Sequence, residues 1–426
     1  MERTEAFLRR LDMYFEQMPF EELRERYKAE MTAGVRGEAS SIRMLPSYVP
    51  AGVTPLRGER ALVIDAGGSN LRVGRAYFDE NGACVTEEVR KCAMPGSGGE
   101  CVTAEEMFDR IAAEAASVAE GCRYAGFSFS YPCESLPDGD GIFLRLCKEL
   151  RVEGAEGGLI CAPLEAALQK RGVGGERHWR MINDTIGSLL GSLTIPGRSG
   201  YTDYIGLVVG TGVNTCCILP CREITKVPAL REAEGEMLIN MESGAFTGVL
   251  MGAVDRYLDE RAEKPGEQLA EKMVAGAYYP ALLAETLRFA ADEGEISPEG
   301  AAALRALTVT PAAVSEFCLG EGDIANALSG NDLSFARAVN DALLERAARV
   351  LSACITAILE LRQLARGNRV LICADGTTIR KNPLLRPKIE RYLSRYACDA
   401  LGVTTEFCFT EDATLLGSAW AGLIGD

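Results

Sequence analysis

The sequence has one histidine, His178, and its 15 cysteines include no pair at CxxC spacing. Structural zinc sites draw on paired Cys and His ligands, so this composition argues against zinc. Several cysteines sit in apolar runs, such as Cys216 and Cys217 in NTCCIL. Such thiols are expected as small buried side chains of a reducing compartment, not as a disulfide framework. No run of about 18 apolar residues occurs, so no membrane-spanning helix is expected. The opening MERTEAFLRR mixes acids and bases and has no apolar signal core, and a cytoplasmic protein is the expectation. An excess of basic residues is missing as well: 45 Lys and Arg face 61 Asp and Glu, for a formal charge of -16. Nucleic acid and anionic membranes are met by basic surfaces, so neither is an expected partner. A site for an anionic ligand would have to be built locally, from backbone amides, a metal ion and a few cations. Repeats, low-complexity tracts and Pro/Ser linkers are absent, which predicts tightly joined units with a cleft between them.

What is present is a chain of 426 residues, 47% hydrophobic and 25% charged. That is too long for one simple core and ordinary in composition for a globular protein of two or more units. Phe7, Leu8, Leu11, Phe15 and Met18 keep helical spacing until Pro19. A second stripe of Phe20, Leu23, Tyr27 and Met31 predicts another helix ending near Gly34, followed by a loop holding Pro46 and Pro50. The period then changes. ALVIDAGGSN reads as a strand broken by a glycine pair, and LRVGRAYFD as the other arm of a hairpin. Thr103 and Glu106 form a capping box before a helical face of Phe108, Ile111, Ala115 and Val118. AGFSFSYP is a strand ended by Pro132, and RMINDT is a strand running into the helix IGSLLGSL. YIGLVVGTGVNTCCIL reads as two strands about a glycine turn. Residues 247–366 are mostly helical in pattern. VLICADGTT is a strand into a turn, and FCFTEDATLLGSAWAGL is a strand, a loop and a helix.

Three motifs can carry chemistry. In DAGGSN, residues 65–70, glycine lets the backbone approach a ligand and turn its amides toward phosphate oxygens. Asp65 at the strand end can reach Mg²⁺ through water. Gly210-Thr211-Gly212 is a second strand-turn-strand motif far away in sequence. Either could be a plain hairpin, but the pair suggests a duplicated βββ unit with one phosphate loop per half, the arrangement of actin-like ATPases. In Asn183-Asp184-Thr185 an aspartate follows a buried strand and precedes a helix. It can serve as an N-cap, or as the carboxylate that takes a proton from an attacking hydroxyl. Ser130, Asn183, Asn214, Glu242 and Glu271 have the chemistry to hydrogen-bond sugar hydroxyls.

Taken together these motifs resemble the hexokinase family, in order and over most of the chain. RMLPSYV at 43–49 is similar to the family's MLP-Y segment, DAGGSN to DLGGTN, and GFSFSYP at 126–132 to GFTFSFP. NDT is present at 183–185. GTGVNTCC is similar to GTGxNACY, INMESGAF at 239–246 to INMEWGAF, and PGEQLAEKM at 265–273 to PGQQLYEKM. ADGT at 374–377 is similar to VDGS, and TEDATLLGSA to SEDGSGxGAA.

The resemblance implies an α/β fold of the two-lobed actin-like ATPase (ribonuclease H-like) type, with a duplicated βββαβα core and a sugar and ATP cleft between lobes. Residues 60–182 with 411–426 would form the small lobe, and 1–59 with 183–410 the large one. The implied activity is ATP-dependent phosphorylation of a hexose, glucose at C6 first, with ATP and Mg²⁺ required. Asp184 would be the base, with Lys148 beside the reacting groups. Ser130, Cys147, Lys148, Asn183, Asp184, Asn214, Glu242 and Glu271 would meet the sugar. Asp65, Gly67, Gly68, Ser69, Asn70, Arg72, Thr211 and Gly212 would lie at the phosphates. Asp375, Gly376, Thr377, Gly417 and Ser418 would border the adenosine. The chain departs from the family at Cys147-Lys148-Glu149-Leu150, where the family has Thr-Lys-Gly-Phe, and a thiol is the weaker hydrogen-bond partner. It also has Ser243 for the family's Trp, and Glu134-Ser135 where His or Gln is frequent. These departures keep open a kinase for mannose, fructose or an amino sugar, and a sugar sensor of the same fold. An actin-like or chaperone-type ATPase would leave GFSFSYP, Glu242 and Glu271 without a role.

Overall fold

The computed structural model describes residues 2–144, 150–198 and 200–425. Two sheets organise it. The first runs Cys84–Ala93, Asn70–Phe78, Ala61–Ala66, Tyr124–Phe129, His178–Asn183. The second runs Leu45–Pro50, Glu236–Asn240, Val213–Pro220, Asp203–Val209, Arg369–Asp375, Thr404–Phe409. Numbered along the chain within each half, both sheets have the order 3-2-1-4-5. Strands 1, 2 and 3 pair antiparallel and strands 1, 4 and 5 pair parallel in each. The second half carries Leu45–Pro50 as an extra edge. This is the duplicated α/β core expected of the two-lobed actin-like fold.

Each half ends in a strand that feeds a helix: Asp184–Leu193 in the first and Ala413–Gly422 in the second. The two helices cross so closely that only glycine fits at the contacts. A Cβ at Gly417 would lie 2.0 Å from the Gly187 carbonyl oxygen, and one at Gly191 would lie 1.9 Å from that of Ala413. The second helix also crosses to the first half's sheet. A Cβ at Gly126 would lie 1.8 Å from the Ser418 carbonyl oxygen, and Leu415, Ala419 and Leu423 pack with Ala61, Val63, Ala76 and Phe78.

Several local expectations are met and others shift. Thr103 caps Ala104–Ala119: its hydroxyl accepts from the Glu106 amide at 3.2 Å, and its own amide donates to the Glu106 carboxylate at 2.8 Å. The first helical stripe stops at Arg10 and leaves only a short turn, Phe15–Gln17, because Asp12 takes a left-handed backbone. The second runs past Gly34 to Arg36, where Gly37 (φ 76°) ends it as a left-handed C-cap. The segment read as a loop holding Pro46 and Pro50 is a strand. It lies at a sheet edge with its register shifted between the two prolines, where a missing N–H is tolerated. Residues 247–366 hold a series of helices, the longest being Gly330–Leu361. No described helix is long and apolar enough to cross a membrane.

Candidate active site

A cleft of about 840 Å³ opens between the halves. Gly68, Ser130, Asn183 and Asp184 line it from the first half, and Thr211, Gly212, Asn214, Glu242 and Glu271 from the second. Residues up to 203 positions apart in sequence thus face one space, because the first turns of both sheets and the fifth strand of the first one end there.

Asp184 is the first residue of its helix, not the cap. Asn183 takes the capping role, its Oδ1 accepting from the Thr185 amide at 2.9 Å. The Asp184 carboxylate is thereby left to the cleft, with the Thr185 hydroxyl donating to it at 3.3 Å. Burial pushes its pKa up to about 7, Ser130 pulls against that shift, and the charges of Asp65 and Glu242 add to it. A carboxylate poised near neutrality is suited to accept a proton from an alcohol.

A chain of amides ties the two halves of the cleft floor. Asn214 Nδ2 donates to Asn183 Oδ1 at 3.2 Å and to Asn240 Oδ1 at 2.7 Å, and Asn240 Nδ2 donates to Glu242 Oε1 at 2.8 Å. Glu242 itself sits at φ 58°, a left-handed backbone that costs a non-glycine residue about 1–2 kcal/mol and is kept where position matters. Glu271 Oε2 accepts from the Val213 amide at 2.9 Å, just past the second glycine turn. Ser243, the departure from tryptophan, is buried, and its hydroxyl shares a short hydrogen bond with Thr215.

At the first glycine turn Ser69 and Asn70 are exposed and Gly67 and Gly68 partly so. Arg72 lies beside it and joins the halves: it donates to Asp65 Oδ2 at 2.8 and 2.5 Å, to Thr414 Oγ1 at 2.8 Å and to Asp412. Burial pushes the Asp65 carboxyl up, against the pull of Arg72. Among the described residues no group of three or more His, Cys, Asp and Glu could hold a metal by itself. The mutual repulsion of Asp65 and Asp184 still suits an Mg²⁺ ion that arrives with a nucleotide, since Mg²⁺ takes few protein ligands and several waters.

Asp375 and Gly376 border the second turn, with Thr377 exposed next to them. Gly376 (φ 105°) presses on it: a Cβ there would lie 2.4 Å from the Val209 carbonyl carbon and oxygen. Gly417 and Ser418 are placed differently from expectation. Gly417 is at the helix crossing. Ser418 is fully buried, with its hydroxyl committed to the Ser128 amide and the Ile64 and Thr414 carbonyls, so it offers no surface to a nucleotide. Cys147 and Lys148 lie outside the described residues. Sequence reasoning missed Asn240, whose only signal was its place in INME. It also missed Asp412, and the pair Gly276 and Thr378 under the second turn, which no local pattern marks.

Two family models, both described as hexokinase, match the chain at residues 4–194 and 204–424. Mouse hexokinase-3 is 28% identical over 423 residues, covering 91% of this chain and 44% of that protein. Rat hexokinase-3 is 33% identical over 267 residues, covering 58% of this chain and 27% of that protein. The chain therefore spans less than half the length of these two relatives. Among solved structures, a hexokinase from Schistosoma mansoni complexed with glucose superposes with a TM-score of 0.80 at 22% identity, over 99% of both chains.

Proposed function

Because this chain belongs to the hexokinase family, we propose that it transfers the terminal phosphoryl group of ATP to a hydroxyl of a bound hexose, with glucose at C6 as the first candidate. The observation that carries this reading is Asp184: a carboxylate at about pKa 7, freed from capping by Asn183, in a cleft that two glycine turns also enter. Ser130, Asn183, Asn214, Glu242 and Glu271 would hold the sugar hydroxyls, and Asp184 would take the proton of the attacking one. Backbone amides of the two turns and Arg72 would meet the phosphates. Mg²⁺ bound with ATP supplies charge neutralisation at the phosphates. Positioning and electrostatics would provide most of the acceleration, the base about 10²- to 10⁴-fold.

In this reading residues 60–182 with 411–426 form the lobe that closes on the sugar. Closure excludes water, which would otherwise compete for the phosphoryl group. The experiment is an ADP-release assay with Mg-ATP and a panel of glucose, mannose, fructose and amino sugars. Sugar-dependent release that names one best hexose supports the proposal. Glucose binding without release would favour the sensor, and release without any sugar a partner-driven ATPase.

A further inference from the structure

Tyr131 follows Ser130 at the end of the strand Tyr124–Phe129 and lines the cleft. It is 1% exposed, and its ring packs on Phe129 with centroids 5.1 Å apart. Its hydroxyl reaches across to the first glycine turn, donating to the carbonyl oxygens of Gly67 at 3.1 Å and Gly68 at 2.9 Å. One proton faces two acceptors, a three-centre bond.

A trans peptide holds its C=O and the following N–H antiparallel. Fixing the carbonyls of Gly67 and Gly68 therefore fixes the directions of the Gly68 and Ser69 amides. Those are amides that the reading above assigns to phosphate. Glycine has the widest backbone freedom of any residue, so this turn needs an outside restraint to keep its amides aimed. Within the turn, Gly67 N–H donates to the Asn70 carbonyl at 2.9 Å, and Met94 N–H donates to that of Ser69 at 3.1 Å. Neither bond holds the Gly67 or Gly68 carbonyl. The second turn has a different restraint: its Gly210 carbonyl accepts from the Gly276 amide at 2.8 Å and from Thr378 Oγ1 at 2.9 Å.

We infer that Tyr131 is a positioning residue for the nucleotide: its hydroxyl latches the first glycine turn to the end of the sugar-facing strand and orients the phosphate-binding amides. The residue's backbone adjoins Ser130, so the same latch ties sugar side to phosphate side. The inference rests on the kinase reading.

The test is Tyr131→Phe, which keeps the ring and removes only the hydroxyl. A net hydrogen bond is worth about 0.5–1.5 kcal/mol, or about 2- to 13-fold. The expected result is a rise of that size in KM for ATP, and in Kd for ADP measured by calorimetry in the absence of turnover. KM for the hexose stays within about twofold, and faster exchange of the Gly68 and Ser69 amides accompanies the rise. Equal changes in both KM values would mean a general packing role and would overturn the latch. So would unchanged ADP affinity. A wild-type protein that shows no sugar-dependent ADP release would instead defeat the kinase reading, and ADP calorimetry would still decide whether Tyr131 orients the turn.

Discussion

The two glycine turns occupy the same place in two sheets of the same strand order, yet they are held in different ways. At the first, a Cβ built on Gly67 would meet nothing closer than the Asn70 carbonyl oxygen at 3.5 Å. Its Gly67 and Gly68 carbonyls are braced by one side-chain hydroxyl. At the second, three segments press in. Gly276 and Ala277 donate backbone bonds to the Gly210 and Thr211 carbonyls, and Thr378 adds a third. Gly376 has no room for a side chain, and a Cβ on Gly212 would lie 2.8 Å from Glu271 Oε2. The second turn is built as a fixed wall and the first as an adjustable one. A similar split holds for the carboxylates between each fifth strand and its helix: Asp184 faces the cleft, whereas Asp412 is paired with Arg72.

The carboxylate pair offers the largest effect. Asp184→Asn is expected to lower kcat by about 10²- to 10⁴-fold while hexose binding is retained. A fall of less than tenfold would remove the distinction between the two aspartates. Next come the glycines. Gly376→Ala forces a side chain into a left-handed backbone against Val209, at an expected cost of about 2–4 kcal/mol in urea unfolding. Gly67→Ala should cost less than about 1 kcal/mol. Equal losses would show that the turns are equally tight.

The pH dependence sharpens the Asp184 side. In the proposed mechanism Asp184 acts as the base and must be ionised, so kcat/KM should fall about tenfold per unit below a midpoint near pH 7, and Asp184→Asn should lack that limb. Stability moves the other way. The folded carboxyl holds its proton to about pH 7, against an ordinary 3.8, so the folded state loses stability as pH rises between those values. Asp184→Asn should accordingly be more stable than wild type at pH 8, by about 1–3 kcal/mol, with the difference gone near pH 4. Smallest is Asp412→Asn. The side chain of Asp412 is 66% exposed, so KM for ATP should rise only about two- to fivefold.

Much of the fold was readable because its strands alternate or run apolar between glycine and proline punctuation, and because Asn183-Asp184-Thr185 sits at a strand-to-helix junction. What could not be read from local pattern arises across the chain. Asp184 read as a possible cap, and only the hydrogen bond from the Thr185 amide to Asn183 Oδ1 gives that role to its neighbour. Asp412 and Thr414 reach Arg72 over more than 300 positions. Ser418 looked like part of a nucleotide loop because it lies in a glycine-containing motif. Its burial follows from the helix crossing, which no periodicity signals. Pro46 and Pro50 suggested a loop because proline disfavours strands, but an edge strand escapes that rule.

The helix Ala413–Gly422 completes the core of a sheet whose last strand ends at Asn183. Ala61, Val63, Ala76 and Phe78 pack on Leu415, Ala419 and Trp420 of this helix and on Leu423 just after it, with Cys84 and Tyr124 at the edge of the same cluster. During synthesis about 230 further residues must therefore be made before the first half can close its apolar face, a wait of about 10–50 s at ribosomal speed. The first half is an early-made piece that is finished late. A cell making this chain has to guard an open sheet through most of translation, and a chain cut short before residue 413 would be left as a target for chaperones and proteases.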